Sequence, residues 1–523
     1  IESIRKSQRT PQTCSNCGKR KIKCDKQIPC LQCIKRGKAV TCRREIVRVQ
    51  DQLRNLEDFS NISVSSIDDI DMARFLLSRV LTENAELRKI LTTNNPQSKT
   101  VPVQFRGVSS LFSEEPKKPK ADLPRLSRAQ SEEIIRFCLI RFLWFHNAVH
   151  PPTFLHQHDE FFDYLERRSG AGDSYLLSPI DTYDSQPDTI NWSRRSYLWL
   201  SVYYALLSSG IYFMDEAQVL AVLGLGASEE SISEKLSENY FQAAQVCLFR
   251  GEFMKVPDIY SVQAIAVMTL ICQNFGGFDL MYCLLNAAVF IAQKLNLHRI
   301  SPEYGDKPLS DAKFLDRELG RRLWYTLVVS DWMSNLQRYP AIGINSFSTT
   351  PPGNYNDHDL FECKGRFPDY PPDVVTSTTY ILFMIRISSI RRTSFDSDWI
   401  KSKATMISRL QQADKDLVQI MRSLPPTFCT NEKDPTGMNV LIRSLQEYII
   451  SLELPAERLS LHMILARYLS RDQWIKTSRP ICLESIKAFM AQRRRDKPLM
   501  FEKIWVVESR TVAVGVFLVL DIL

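Results

Sequence analysis

The chain has 523 residues, of which 44% are hydrophobic and 24% charged, with a formal net charge of +8. At roughly 100–200 residues per domain, this length indicates more than one folded unit, and the apolar content argues against disorder over most of the chain. The charge is uneven: residues 1–50 carry 14 Lys/Arg and 3 Asp/Glu, a net of +11, so residues 51–523 sum to −3. The basic N-terminal segment predicts a polyanionic partner, either nucleic acid or an anionic membrane.

The cysteines are also unevenly distributed along the chain. Six of the 13 lie between Cys14 and Cys42, and the other seven are scattered, mostly within apolar runs. The first 15 residues are polar and basic, so we recognise no signal peptide and expect a reducing compartment without a disulfide framework. The chain begins at Ile1 without a methionine, which suggests a fragment. We therefore expect six metal ligands and seven core cysteines.

The first predicted element is a metal-binding module formed by the six clustered cysteines. Each half of the cluster is a C-x-x-C followed by a third cysteine. So short a segment with few apolar side chains cannot fold by burial alone, whereas structural zinc contributes roughly 10 kcal/mol or more. Two tetrahedral zinc ions need eight coordination positions, which six thiolates fill if two sulfurs bridge both ions. The predicted ligands are Cys14, Cys17, Cys24, Cys30, Cys33 and Cys42.

Three other interpretations of this cluster are open. A redox C-x-x-C usually accompanies a βαβ pattern, which is absent here. Three disulfides suit a secreted chain, which this sequence does not resemble. A single four-cysteine zinc site is possible, but it leaves two cysteines over and does not explain the symmetry of the two halves.

The residues around the cysteines point to a known family. Lys21, Ile22, Lys23, Asp25 and Pro29, together with the cysteine spacing, make this segment closely resemble the Zn2Cys6 binuclear cluster of fungal transcription factors. The resemblance implies two Zn²⁺ ions, with Cys14 and Cys30 as the bridging thiolates and Pro29 at the turn between the halves. The segment departs from the family at Gly18, where Arg is frequent, so a phosphate contact is lost but no ligand.

Four cationic residues between the second and third cysteines are the candidate DNA contacts, namely Lys19, Arg20, Lys21 and Lys23. A rigid cationic helix end held by a metal can enter the major groove. By resemblance, Lys21 would contact bases with Arg20 beside it, and the target would be a CGG-like triplet. Lys19, Lys23 and the cations that follow them would contact phosphates. The alternatives are a solvated charge run, a nuclear-import signal, or an RNA or membrane partner.

Residues 45–92 predict a linker and a coiled-coil dimerisation segment. A short first heptad repeat (46–56) is out of register with a second (70–91), so the sequence does not predict the half-site spacing. An a-position Asn fixes the register of a two-stranded coil, and family use of such coils supports a parallel homodimer. The alternatives are one amphipathic helix packed on its own chain or a larger bundle. The predicted dimer residues are Ile70, Ala73, Leu77, Val80, Asn84, Leu87 and Leu91.

The rest of the chain predicts a linker and a helical domain. Residues 93–127 contain five prolines, and this composition predicts a flexible linker. Apolar residues in 231–250 and 406–424 recur every three or four positions, so 128–523 is predicted to be all-α. The uncharged stretch 196–214 carries Tyr, Trp, Ser and Gly along its length, which favours a buried helix over a membrane span. The predicted fold is mainly α, with the Zn2Cys6 domain at 10–44.

The helical domain also resembles a known family. His146-x3-His150-Pro151 and the run 318–325 (ELGRRLWY) are similar to motifs of the fungal-specific transcription factor domain, over roughly residues 130–345. The resemblance implies an all-α regulatory domain without catalysis. A metal site at His146, His150, His156 and His158 is a weak alternative, because the HExxH pattern is absent. Arg321 and Arg322 are expected to form ion pairs with Glu318 and Asp331.

These observations predict a nuclear, sequence-specific regulator of RNA polymerase II genes. Its expected partners are double-stranded DNA, a second copy of the chain and the transcription machinery, with no membrane partner and no catalytic residues. One alternative is a structural chromosomal protein, such as a centromere-binding subunit, with the same architecture. Another is an enzyme with a zinc-cluster appendage, which a polar, ligand-sized pocket with convergent titratable groups would favour.

Overall fold

The computed structural model describes residues 6–7, 17, 20, 22–25, 30–36, 48–49, 123–124, 126–169, 192–226, 232–301, 311–334, 340–357, 360, 370–394, 402–425, 428 and 440–522. These residues fall into two compact units, which lie within Ile1–Phe75 with Val519–Leu523 and within Leu76–Leu518. The predicted coiled coil and most of the predicted linker lie outside the described residues.

The first unit contains two short strands and one short helix. Strand β1 (Lys6–Ser7) pairs in parallel with β2 (Arg48–Val49), with Lys6 opposite Arg48 and Ser7 opposite Val49. Helix α1 (Leu31–Lys35) begins directly after Cys30. The strand pair therefore brings together the chain before and after the cysteine-rich segment.

The second unit is helical throughout its described elements, in agreement with the predicted fold class. Its N-terminal helices are α2 (Arg128–His146), α3 (Pro151–Ser169), α4 (Arg194–Phe213), α5 (Glu216–Leu223), α6 (Ile232–Arg250), α7 (Ile259–Met268), α8 (Phe278–Lys294) and α9 (Asp311–Trp332). Its C-terminal helices are α10 (Thr379–Ser394), α11 (Lys403–Arg422), α12 (Val440–Leu465), α13 (Arg471–Thr477), α14 (Arg479–Arg493) and α15 (Trp505–Ile522). Short 3-10 helices occupy Cys272–Phe275, Leu297–Arg299 and Leu499–Phe501.

Helix α4 is the centre of the N-terminal half of this unit. It is buried on almost every side between Leu198 and Phe213, and it packs mainly against α6, α7 and α2. A side chain at Gly210 would lie 2.7 Å from the Ile134 carbonyl oxygen, so the glycine permits the close approach of α2. The prediction of a buried helix is confirmed. Among the helices that the structure describes, none has the length and apolarity to cross a membrane.

The corner between α2 and α3 is fixed by local sequence. Ser127 caps α2 in a reciprocal capping box with Gln130, and Asn147 ends the helix in the left-handed conformation at φ 44°. Pro151 then occupies the first position of α3, where its missing N–H costs nothing. The chain therefore turns sharply at residues 147–150, and this turn places His146 and His150 in the interior.

The periodic segments bury most of the residues that their spacing predicts, although Met406 and Leu424 of the 406–424 run are only half-buried. Helix α11 buries Leu410, Ala413, Leu417 and Ile420, and α6 buries the predicted set Leu236, Tyr240, Ala243 and Cys247. One core prediction is wrong, because Cys283 is exposed. It lies on the outward face of α8, whereas Leu284 and Leu285 point inward. Cys138, Cys272 and Cys482 are buried like Cys247, and Cys363 and Cys429 lie outside the described residues.

A buried charge cluster joins three C-terminal helices. Arg510 of α15 donates to Glu453 and Glu457 of α12 at 2.8 and 2.7 Å, and Arg391 of α10 donates to Glu457 at 2.6 Å. Both glutamates are about 1% exposed. Paired and multiply bonded charges are tolerated in the interior, but the loss of one partner leaves an uncompensated charge. The cluster therefore fixes how α10 and α15 pack on α12.

A second buried cluster lies on α9. Glu318 accepts from Arg321 and Arg322, each at 3.3 Å, as the sequence predicts. The further carboxylate facing Arg322 is Asp357, which follows α9 in the chain. Asp331, which we expected in this network, accepts from the backbone N–H groups of Ala341 and Ile342 at 3.0 and 2.7 Å.

Candidate metal centre and nucleic-acid interface

Four of the six predicted ligands come together in the first unit. Cys17, Cys24, Cys30 and Cys33 are buried against one another, and Ile22 packs on them. The Sγ atoms of Cys17 and Cys30 lie 3.5 Å apart, and Cys33 Sγ lies within 4.8 Å of both. No disulfide joins these four cysteines. The segment therefore gathers four cysteine side chains in one place without a disulfide among them, which neither the redox nor the disulfide interpretation requires.

The donor set fits zinc. Thiolates are preferred ligands of Zn²⁺ at a distance of about 2.3 Å, and two of them on one tetrahedral ion lie about 3.8 Å apart. The Cys17–Cys30 separation of 3.5 Å is close to that value. Two thiolates at this distance repel each other unless a cation lies between them. A metal ion supplies that cation and the folding energy that so small a core lacks.

Cys30 has a central position among these ligands. It belongs to one close group with Cys17 and Cys33 and to another with Cys24 and Asp25. In each group all ligand atoms lie within 4.8 Å of one another. A sulfur shared by two groups is placed as a bridging thiolate would be. The resemblance assigned that role to Cys30 and to Cys14, and Cys14 lies outside the described residues.

Local backbone contacts hold the cysteines in place. The Cys33 N–H donates to the Cys30 carbonyl at 2.9 Å, in the first turn of α1, and also lies 3.4 Å from Cys30 Sγ. The Ile22 N–H donates to the Cys17 carbonyl at 3.2 Å. Ile22, which directly precedes the exposed Lys23, is thus tied to a predicted ligand.

Four cations of this unit face solvent. Arg20 and Lys23 are exposed between Cys17 and Cys24, and Lys35 and Arg36 are exposed at the end of α1. Lys19 and Lys21 lie outside the described residues, as do Cys42 and all the predicted dimer residues from Ile70 to Leu91. The structure therefore presents positive charge beside the cysteine cluster, where an anionic partner can reach it.

The histidines of the second unit have separate contacts. His146 Nδ1 accepts from the Ala148 N–H at 3.1 Å, and burial lowers the pKa of His146 to about 3. His158 Nε2 lies 2.9 Å from the Ser131 hydroxyl, and burial lowers the pKa of His158 to about 4. His156 is exposed. In the part of the chain that the structure describes, groups of three or more close metal ligands occur at the cysteine cluster alone.

Two features of the second unit did not emerge from the sequence. One is the charge cluster of Glu453, Glu457 and Arg510, for which the signal was two carboxylates one turn apart in α12. The other is a cavity between α3, α7 and α9, for which the chain gives no local signal. Both depend on contacts between residues that are distant in the sequence.

Two family models match this chain. The model described as fungal Zn(2)-Cys(6) binuclear cluster domain matches residues 12–49. The model described as fungal specific transcription factor domain matches residues 142–368. The first match contains the cysteine cluster and the exposed cations beside it, and the second covers the N-terminal half of the helical unit.

Curated relatives are similar at low identity. Probable transcription factor lepB of Aspergillus flavus is 26% identical over 250 residues, which cover 44% of this chain and 44% of that protein. The agnestins biosynthesis cluster transcription factor AgnL11 of Paecilomyces divaricatus is 22% identical over 551 residues, covering 93% of this chain and 74% of that protein. The alignment with lepB thus spans less than half the length of that relative.

One solved structure has a similar helical architecture. The structure of the K. lactis CBF3 core has a TM-score of 0.51 and 12% identity, and the match covers 77% of this chain and 75% of that one. At this identity the similarity concerns the fold alone.

Proposed function

Because this chain belongs to the fungal Zn(2)-Cys(6) transcription factors, which are DNA-binding regulators, we propose that its cluster holds two zinc ions and reads a CGG-like triplet in the major groove. In this proposal Lys21 contacts the bases with Arg20 beside it, and the neighbouring cations contact phosphates. The observation that carries the proposal is the gathering of four buried cysteines directly beside exposed Arg20 and Lys23.

The zinc ions have a structural role in this proposal. Six thiolates would hold them, namely Cys14, Cys17, Cys24, Cys30, Cys33 and Cys42, with Cys14 and Cys30 shared. Bound zinc would supply the energy that orders residues 14–42, and the order would fix the direction of the cationic segment. Without metal, the same cations would sit on a mobile chain and would bind DNA only through charge.

We further propose that two chains act together in the nucleus on genes of RNA polymerase II. The seam from Ile70 to Leu91 would pair two zinc modules, and Asn84 would fix a parallel two-stranded register. Two modules on one DNA molecule bind more tightly than either alone because the second contact is intramolecular. The helical unit would then contact the transcription machinery.

Selection of random DNA duplexes by the full chain tests this proposal. The chain is incubated with the duplexes with and without a zinc chelator, and the bound fraction is sequenced. We expect enrichment of CGG-like triplets, in pairs, in the absence of chelator and none in its presence. Enrichment of no triplet, or enrichment that survives the chelator, would contradict the proposal.

A structural chromosomal role, as in a centromere-binding subunit, stays a second prediction. The similarity to the CBF3 core concerns the fold and does not assign this role. Mapping of the bound sites in cells separates the two functions. A regulator is expected at many promoters whose transcripts change when Lys21 is replaced by Ala, whereas a chromosomal subunit is expected at one region per chromosome, with chromosome loss in the variant.

A further inference from the structure

A cavity of about 320 Å³ lies inside the second unit, where the α2–α3 corner, α3, α7 and α9 meet. On α9, a side chain at Gly320 would lie 2.7 Å from Ile300 Cδ1, so glycine lets the chain near Leu297 close one end. This volume lies within the range of small-molecule sites, about 300–1,000 Å³.

The walls of the cavity are mainly apolar. Phe154 and Leu323 line it from α3 and α9, and Ile259 and Leu319 line it from α7 and α9. Phe154 and Leu323 are buried, so they are fixed by the surrounding core. An apolar molecule would remove this surface from water on binding, and such burial is the main source of affinity in sites of this kind.

Two polar side chains in the cavity are held in fixed orientations. Gln157 donates through Nε2 to the Tyr260 hydroxyl oxygen at 3.0 Å and accepts from Trp199 Nε1 at 3.0 Å. Gln263 donates through Nε2 to the Ala148 carbonyl at 2.8 Å. The Tyr260 hydroxyl proton and the Gln263 Oε1 atom are then available as a donor and an acceptor for a bound molecule.

The charges of the side chains that line the cavity determine which ligands it favours. Asp316 is the one carboxylate among the described residues that line it, and it is exposed at the mouth. Burial, opposed by the charge of Asp357, lowers the pKa of His150, so its ring is neutral. Neither Lys nor Arg is among the described lining residues. Arg195 stacks on the Tyr260 ring at 5.3 Å but is paired with Asp258 at 3.4 Å, so an anionic ligand would lose its hydration with no cation among the described lining residues to replace it.

We propose that this cavity is a binding site for a small, largely apolar molecule that is neutral or carries an amine, hydrogen-bonded by Tyr260 and Gln263. The aromatic and aliphatic walls favour a ring system, and Asp316 favours a cationic group at the mouth over an anionic one. The site is independent of the zinc module, so it does not depend on the proposed DNA binding.

Three probes with the same ring test the proposal on the full chain. Tryptophol is neutral, tryptamine is a cation and indole-3-acetate is an anion near neutral pH. Saturation-transfer NMR and thermal denaturation measure their binding. We expect tryptophol and tryptamine to bind, with indole-3-acetate at least about tenfold weaker than tryptamine. Asp316→Asn should weaken the binding of tryptamine by about threefold and leave the binding of tryptophol unchanged.

Filling the cavity provides the second arm of the experiment. Ile259→Trp and Leu319→Trp each place a large ring in the space from a different wall and should abolish binding of tryptophol. The control is Lys415→Trp, which adds the same ring to the exposed face of α11, distant in the fold, and should bind like the parent chain. Circular dichroism shows which variants are folded.

Three results would overturn the proposal. The first is that none of the three probes binds the folded parent chain at millimolar concentration. The second is that indole-3-acetate binds as tightly as tryptamine. The third is that folded Ile259→Trp or Leu319→Trp retains the affinity of Lys415→Trp, because the indole ring would then bind elsewhere.

Discussion

Cys30 Sγ lies 3.5 Å from Cys17 Sγ, and Cys30 also belongs to the close group that contains Cys24 and Asp25. The two residues come from different halves of the cysteine pattern, 13 positions apart. Their contact therefore joins the halves, and a metal ion at this point would crosslink them. The folding of the module and the placement of its cations would then depend on that crosslink.

Replacing Cys30 should remove more bound zinc from the chain than replacing a cysteine that binds a single ion. We expect the purified parent chain to contain two zinc ions and Cys30→Ser to lose both, because each ion would miss a thiolate. Elemental analysis after dialysis measures the ratio of zinc to protein. The control is Cys283→Ser, which removes an exposed thiol and should keep both ions. A Cys30→Ser chain that keeps two zinc ions would disprove the bridging role.

Lys21 should determine sequence preference, whereas Lys35 should contribute only general affinity. Lys21→Ala is expected to weaken binding to the selected duplex by about 1–3 kcal/mol and to relax the preference at one triplet position. Lys35→Ala should weaken all duplexes alike and reduce the salt dependence by about one phosphate contact. Competition binding at several salt concentrations measures both effects. Equal losses on all sequences for Lys21→Ala would contradict its assigned role.

The heptad seam predicts the oligomeric state. Leu77→Asp places a charge at an a position and should convert a dimer into a monomer, because a buried unpaired charge is strongly unfavourable. Ser78→Asp introduces the same charge at the adjacent outward position and should leave the dimer intact. Sedimentation equilibrium of the full chain distinguishes these outcomes. If Leu77→Asp remains dimeric, then the seam is not the interface.

The charge cluster of Glu457 should be a main source of stability in the C-terminal helices. Glu457→Gln removes the carboxylate that pairs with both Arg391 and Arg510, and leaving these charges buried should cost about 3–5 kcal/mol. The midpoint of urea unfolding, followed by circular dichroism, should fall accordingly. Lys255→Ala breaks an exposed pair with Glu252 and should change stability by less than about 1 kcal/mol. Similar shifts in the urea midpoint for Glu457→Gln and Lys255→Ala would contradict this prediction.

Stability should decrease on mild acidification because His146 is buried in its neutral form. Burial lowers its pKa from 6.5 to about 3 in the folded chain, so between these values the unfolded state binds the extra proton. Stability is therefore complete above pH 6.5 and declines toward pH 3, by about 2 kcal/mol at pH 5 from this group. His146→Asn keeps an acceptor for Ala148 and should flatten the pH dependence, while exposed His156→Asn should not. Urea unfolding at pH 7 and pH 5 compares them, and an unchanged slope in His146→Asn would rule out this cause.

Local patterns explain why the fold class and the cysteine cluster could be predicted. The three- and four-residue spacing of Leu410, Leu417 and Ile420 shows directly in the sequence, and burial follows from it. The six cysteines lie within 29 residues, so their spacing alone predicts a shared metal site without reference to the rest of the chain. The side of a helix that faces solvent is less evident, and Cys283 lies in an apolar run yet points outward.

Long-range contacts explain what the sequence could not predict. Arg510 and Glu457 are 53 positions apart, and no local pattern pairs them. Arg322 has Asp357 as its further partner because the chain returns over α9, while Asp331 binds the backbone at Ala341 and Ile342. The cavity beside Gln263 depends on four separate segments. Such features follow from tertiary packing.

Zinc-dependent DNA binding is the central claim, and a single titration tests it most directly. The full chain is bound to a fluorescent duplex with paired CGG triplets, zinc is removed with a chelator, and zinc is then returned in measured amounts while fluorescence anisotropy is recorded. We predict that binding disappears with the metal and returns fully at two zinc ions per chain. Binding that persists without zinc, or that returns equally on a duplex without the triplets, would contradict the claim.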